Sequence, residues 1–298
     1  MQTPFSTLLP TAALCLAWAT APALAQGGEE QALADTVARL ESSLDARIGV
    51  AITQAGNDWH WDHRADERFP MASTFKTMLC GAVLERVDEG TLSLDEELLV
   101  RPEEIFGHAP VTNEYAGEVL SIGTLCHATL DQSDNGAANL LIDRLGSPQD
   151  ITDFMRGLGD TATRMDRKEP ELNSYTPGDP QDTTTPAAMV ASWETVLIGE
   201  VLSPASREQL IDWMADGGVT GALIRPHLPE GWTVADKSGA GDTSRNLVAM
   251  LTPRSGAPYF LALYISDAET DFATRNAALQ VLAEVTMDAV LAHDATPH

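Results

Sequence analysis

Ser73 and Lys76 stand three residues apart in Phe69-Pro70-Met71-Ala72-Ser73-Thr74-Phe75-Lys76-Thr77-Met78-Leu79-Cys80. A proline and small residues give way there to an apolar-periodic run, which predicts a buried helix starting near Ser73. On that helix the two side chains share a face. A serine hydroxyl at a helix N-terminus gains from the positive end of the dipole as it develops negative charge. A lysine one turn on can take its proton if burial or a cationic neighbour lowers the amine's pKa. The plainer alternative is an ordinary helix start with a solvated lysine, and Ser-x-x-Lys is too short to exclude it. Scarcity favours chemistry. Lys76, Lys168 and Lys237 are the only lysines among 18 basic residues, and lysine can give up its proton where arginine in practice cannot.

Three further stretches carry suitable groups. Asp131-Gln132-Ser133-Asp134-Asn135-Gly136-Ala137-Ala138-Asn139 is polar and then enters apolar Leu140-Leu141-Ile142. Ser133 could relay a proton and Asn135 could grip a carbonyl, or the loop could simply cap a helix. The loop over 164–186 is long and lacks a secondary-structure pattern, a mark of functional loops. In it Glu169, with Asn173 four residues on, could hold and deprotonate a water, while Arg167 and Asp182 could close the neck. A solvated charged loop is the alternative. Ala235-Asp236-Lys237-Ser238-Gly239-Ala240-Gly241 places a lysine at a strand end, followed by small residues. A flat ligand could lie against that edge and take backbone N–H bonds, with Arg245 nearby for a carboxylate. A glycine-rich hairpin turn would look the same.

These residues need a scaffold. Helical periodicity over Glu29–Ala46 leads into a strand at Arg47–Thr53 and a turn at Gly56-Asn57-Asp58 before Trp59–Asp62. From Ser73 to about Ala215 the pattern is helices joined by Gly-, Pro-, Asp- and Thr-rich loops. Strands return at Val234–Lys237, Asn246–Thr252 and Tyr259–Tyr264, followed by a helix over Asp271–His293. Strands at both ends with helices between predict an α+β protein. A discontinuous α/β domain (26–65 and 216–298) would carry an antiparallel sheet with packed helices, and an all-helical domain (66–215) would be inserted in it. The site would lie between the two parts.

Composition narrows the class. The 298 residues carry a net charge of −26, with 44% hydrophobic and 21% charged residues. These are globular values, and the acidity argues against nucleic acid and anionic membrane surfaces as partners. It also suits a high-salt habitat. Residues 1–25 contain no acidic or basic side chain, and Ala23-Leu24-Ala25 before Gln26 fits a signal-peptidase site, although the usual basic start is missing. Pro10 and Pro22 break the apolar run, which disfavours a membrane anchor. Leu14 before Cys15 fits a lipoprotein site poorly. The mature chain, 26–298, is therefore expected outside the cytoplasm, periplasmic or secreted. It keeps Cys80 and Cys126, expected to form a structural disulfide, with two free buried thiols as the alternative.

Each signal is weak alone; their order and spacing are not. Ser73, Ser133, Glu169 and Lys237 follow one another at intervals of 60, 36 and 68 residues, and together they resemble class A serine β-lactamases. Similarity runs through Ala65–Gly90, Thr124–Gly146, Glu169–Pro186 and Gln209–Gly241, most of the mature chain. The resemblance implies the β-lactamase/DD-peptidase-like fold, a monomer, small-molecule β-lactam substrates, and no metal or other cofactor. It gives Ser73 the role of nucleophile. Lys76 and Glu169 share the base duty in acylation, and Ser133 passes the proton to the leaving nitrogen in the field of Lys237. Glu169 with Asn173 activates the deacylating water. The N–H groups of Ser73 and Ala240 form the oxyanion hole. Asn135 holds the substrate's side-chain amide, and Ser238 and Arg245 hold its carboxylate.

Departures from the family pattern bear on substrate preference. The third motif is Lys237-Ser238-Gly239, with serine where many relatives have threonine. His108 replaces a frequent aromatic, Lys168 a frequent tryptophan, and Ala72 a bulkier residue. The stretch from Gly241 to Arg245 is one residue shorter than in close relatives, which loosens the Arg245 assignment; Arg275-Asn276 could support it. Gly241, and the lack of a cysteine near Ala72, argue by analogy against an extended-spectrum or carbapenemase specialism. The nearest rival, a penicillin-binding transpeptidase or carboxypeptidase, shares Ser-x-x-Lys but lacks the deacylating pair Glu169 and Asn173. A non-catalytic β-lactam sensor is disfavoured by the same glutamate.

Overall fold

The computed structural model describes residues 22–296. The export signal expected over 1–25 lies almost wholly outside them. Helix α1 (Pro22–Leu44) leads into β1 (Arg47–Gln54) and β2 (His60–His63). The helix stops two residues before the expected end because Asp45 turns left-handed, at φ 48°, and Ala46 N–H closes onto Glu41 O at 3.1 Å. The chain then forms β3 (Phe69–Pro70) and a single 3₁₀ turn, Ala72–Phe75. Next come α2 (Lys76–Asp88), β4 (Glu97–Leu99), β5 (Val119–Ser121), α3 (Ile122–Asp131), α4 (Asn135–Leu145) and α5 (Pro148–Gly157). After the long loop and β6 (Thr183–Thr184) come α6 (Pro186–Ile198) and α7 (Pro204–Ala215). The chain finishes with β7 (Thr233–Ala240), β8 (Arg245–Thr252), β9 (Tyr259–Ser266) and α8 (Phe272–Asp294).

Five strands form one antiparallel sheet in the order β2-β1-β9-β8-β7. Side chains alternate across a strand, and here both faces are covered. Ile48, Val50, Ile52, Leu261, Leu263 and Ile265 face a cluster with Leu33 and Val37 of α1 and Leu279 and Leu282 of α8. Ala51, Phe260, Ala262 and Tyr264 face the opposite way, into the core built by the middle helices. A sheet buried on both sides gives near-continuous apolar strands, which is why β8 and β9 stand out in the sequence. The two-stranded pairs β3–β6 and β4–β5 escaped sequence reading. Runs of two or three residues carry no periodic signal, and their pairing is set by distant chain segments.

Helix α2 crosses the middle of the helical core, and every residue from Lys76 to Leu84 is buried. Cys80 and Cys126 meet where α2 packs on α3, but the expected disulfide is absent: both are free buried cysteines. The Cys80 thiol points to Cys126 O at 3.8 Å. Burial, followed by the hydrogen bond to the Cys126 side chain, pushes the Cys80 thiol well above the ordinary cysteine range. No helix among the described residues is long and apolar enough to cross a membrane.

Candidate active site

The sequence-predicted residues converge on a cleft of about 250 Å³ lined by Ser73, Ser133, Asn135, Asn173, Ser238 and Arg245, among others. A larger, shallower hollow of about 780 Å³ lies over the β1–β2 turn beside Trp59 and Glu194. It holds none of these groups, so chemistry rather than size marks the cleft.

Ser73 lies inside the 3₁₀ turn rather than at an α-helical start, following Ala72 at φ 43°. That turn is held from several sides. Asn246 of β8 donates to Pro70 O (2.8 Å) and Met71 O (3.0 Å), and the Tyr264 and Thr74 hydroxyls lie 3.1 Å apart. Strand β7 is the sheet edge, paired only with β8, so its free side can lie against the turn. The approach is close. A Cβ on Gly239 would stand 2.8 Å from Met71 O and 3.1 Å from Ser73 N, closer than side chains tolerate.

Lys76 is wholly buried. Its Nζ donates to Asn135 Oδ1 (2.6 Å) and Ser133 O (2.8 Å) and reaches Ser133 Oγ at 3.4 Å. It also lies 3.3 Å from Glu169 Oε1. Burial pushes the amine below the ordinary lysine range, against the opposing pull of the Glu169 carboxylate. Lys237, equally buried, donates to Ser133 Oγ at 3.0 Å and Ser238 O at 2.9 Å. It is pushed well down, first by burial and then by the charges of Lys76 and Arg245. Two amines thus bracket one serine hydroxyl. Ser133 adopts φ 57°, a left-handed conformation that costs about 1–3 kcal/mol in a non-glycine residue and tends to cluster at functional sites.

The capping alternative for the 131–139 loop resolves onto Asp134. It is the N-cap of α4, accepting from Ala137 N, and it also binds Val111 N, Thr112 N and Thr112 Oγ1 at 2.8–2.9 Å. Its flanking residues, Ser133 and Asn135, are left to line the cleft.

Glu169 is clamped through its backbone: Asn139 Nδ2 donates to Glu169 O (2.8 Å), and Glu169 N donates to Asn139 Oδ1 (3.0 Å). Its Oε2 accepts from Asn173 Nδ2 at 2.6 Å. Its Oε1 and Asn173 Oδ1 are buried without a hydrogen-bond partner. Arg167 and Asp182 do pair at the loop's neck, at 2.5 Å, and the other Asp182 oxygen takes the N–H groups of Asp166 and Arg167. Beyond the neck, β6 pairs with β3, so the loop bearing Glu169 and the segment before Ser73 are stitched together. Lys168 turns outward to Asp143, at 2.7 Å.

Despite the shortened turn, Arg245 reaches the cleft. It donates to Gly239 O and Asn276 Oδ1, both at 3.0 Å, and has no carboxylate partner among the described residues. Burial and the neighbouring Arg275 bring its guanidinium down to about 10, so it stays charged at neutral pH. His108 also lines the cleft, with its ring on Gln132 O at 2.8 Å. Asn139, Asn246 and Asp134 are the positioning groups that sequence reasoning missed. Asn139 is a polar residue inside an apolar run, a cue that could have flagged it, whereas Asn246 only opens such a run and Asp134 stands in a polar stretch.

Residues 32–290 match the model of the β-lactamase enzyme family. A β-lactamase of Rhodobacter capsulatus is 46% identical over 278 residues, 93% of this chain and 94% of that protein. One from Stenotrophomonas maltophilia is 43% identical over 81% of this chain and 80% of its own length. The chain belongs to the class A β-lactamases. Its fold agrees: a β-lactamase structure from Xanthomonas campestris superposes with a TM-score of 0.84 at 44% identity, covering 88% of this chain and 98% of that one. The class A β-lactamase reconstructed as the last common ancestor of Gram-negative bacteria gives 0.83 at 43%, covering 87% and 99%. The enzyme is a hydrolase acting on β-lactams, an activity that confers antibiotic resistance.

Proposed function

We propose that the enzyme opens the lactam ring of penicillins and early cephalosporins through a Ser73 acyl-enzyme that a Glu169-activated water hydrolyses. Ser73 Oγ attacks the carbonyl carbon, and its proton passes to the Lys76–Glu169 pair. The lactam C–N bond breaks, and Ser133, between two amines, hands a proton to the leaving nitrogen. The N–H groups of Ser73 and Ala240 stabilise the oxyanion. Asn135, its Oδ1 engaged by Lys76, offers its amide NH₂ to the acyl side chain. Ser238 and Arg245 take the substrate carboxylate. The processed enzyme works as a monomer, periplasmic or secreted, after loss of residues 1–25.

One observation carries this reading over a stably acylated rival. Glu169 Oε1 is buried, lacks a hydrogen bond, and lies 3.3 Å from Lys76 Nζ, with Asn173 Oδ1 likewise unpartnered. A carboxylate oxygen whose only neighbour is the Lys76 amine, and an amide oxygen with no partner, are acceptors that a hydrolytic water could engage. The test is turnover of a penicillin and a chromogenic cephalosporin followed beside intact-protein mass spectrometry. The wild type should show many turnovers and only transient acylation, and Glu169→Ala should accumulate the adduct on Ser73. A stable adduct on the wild type would mark a sensor or a penicillin-binding protein, and normal turnover by Glu169→Ala would overturn the role given to Glu169.

A further inference from the structure

Phe272, the first residue of α8, is 54% exposed. A single exposed phenylalanine needs no explanation in general, but this one lines the cleft. The Arg245 guanidinium lies 5.3 Å from its ring centroid. One part of the ring is therefore taken up by the cation, and the rest is open to solvent at the mouth. Val219, partly buried, is the other large apolar residue lining the cleft. This loop is held in place, since Val219 N–H donates to Asp131 O at 3.1 Å. The backbone that carries Phe272 is set by the Asp271 cap, which accepts from Thr274 N at 2.8 Å.

We propose that Phe272 is a specificity-determining residue. Its open ring, with Val219, forms a platform for a flat aromatic substituent on the substrate atom next to the carboxylate-bearing carbon. The inference rests on Arg245 binding that carboxylate: a carboxylate on the guanidinium brings the neighbouring substituent to the ring beneath it. Offset or edge-on aromatic contacts there favour flat substituents over small alkyl ones. The class of substrate selected is a cephalosporin with an aryl or heteroaryl group at this position.

The experiment compares two cephalosporins with the same acyl side chain, one bearing an arylvinyl group beside the carboxylate-bearing carbon and one a methyl. Phe272→Ala and Phe272→Leu are measured against the wild type. Both variants should lower kcat/KM for the arylvinyl substrate by about three- to tenfold and leave the methyl substrate within about twofold. A methyl penicillin nucleus without that group should be as indifferent as the methyl cephalosporin. Equal losses on both cephalosporins would mean that Phe272 only shields Arg245, and no loss on either would mean that the ring is idle; each overturns the inference. If instead the wild type turns over neither compound, the proposed reaction fails as well. If Arg245→Ala leaves KM unchanged for both, the carboxylate assignment fails first.

Discussion

Replacing Asn139 by alanine tests how the loop bearing Glu169 is held, and with it the role proposed for that residue. Asn139 is 6% exposed and Glu169 2%, and their two mutual hydrogen bonds satisfy both the N–H and the C=O of Glu169. Removing the amide leaves both backbone groups buried without partners. An orphaned buried donor or acceptor costs about 1–3 kcal/mol, so the pair sets a loss of roughly 2–6 kcal/mol, reduced if water enters the gap. The kinetic effect has another source. Glu169 still has its carboxylate, but nothing fixes its main chain, and a misplacement on the order of 1 Å costs about 100-fold in rate. Urea unfolding at neutral pH reads the first quantity. Burst kinetics with mass spectrometry reads the second, with the acyl-enzyme expected to build up while acylation itself suffers less. Asn139→Asp refines the comparison, since it keeps the acceptor for Glu169 N–H and sets an oxygen against the Glu169 carbonyl. A variant that loses stability yet deacylates at the wild-type rate would refute the reasoning, because the clamp would then be structural only.

Gly239→Ala sets a methyl against Met71 O and Ser73 N, both backbone atoms; we expect a folded protein with turnover down roughly 100-fold, and near-normal turnover would show that β7 can yield. At Asp166, burial alone would raise the carboxyl, but hydrogen bonds from Arg164 and the Asp182 N–H outweigh it and hold it below the ordinary 3.8. A folded pKa below the unfolded one means that the stabilisation is present above about pH 4 and is lost as pH falls through the folded value. Asp166→Asn should therefore be less stable than wild type near neutrality, with the two urea midpoints converging in acid; a gap that is constant with pH would rule out the carboxylate as its source.

The frame of the molecule was legible because burial writes itself into local pattern. Strands β1, β8 and β9 are apolar on both faces, and α1 and α8 carry a stripe where they meet one of them. Lys76, Glu169 and Lys237 were legible for the opposite reason, as polar residues held at motif spacing. What stayed hidden was long-range and polar. Asn139 reaches Glu169 across 30 residues, and Asn246 reaches Pro70 across 176. A buried amide's partner is set by tertiary contact, and no periodicity reports it. The disulfide expectation failed on a related point. Compartment and cysteine count argue only that a bridge is permitted, and pairing also needs the specific geometry between the two sulfurs that sequence does not report.

The same contrast explains why the site works as one unit. The turn that carries Ser73 has no capping side chain of its own: Met71 offers none. Its geometry comes from outside, from Asn246 beneath, Gly239 beside it and the β3–β6 pair behind. Those three contacts belong to the sheet, its edge strand and the neck of the Glu169 loop. Ser73 and Glu169, the groups proposed to acylate and deacylate, are therefore located by one shared set of backbone contacts. Loosening β7 should disturb Ser73 and the oxyanion N–H groups together, while loosening the neck should disturb Glu169 first. Gly239→Ala and Asp166→Asn separate the two: an acylation defect in the first and a deacylation defect in the second is the pattern this arrangement requires.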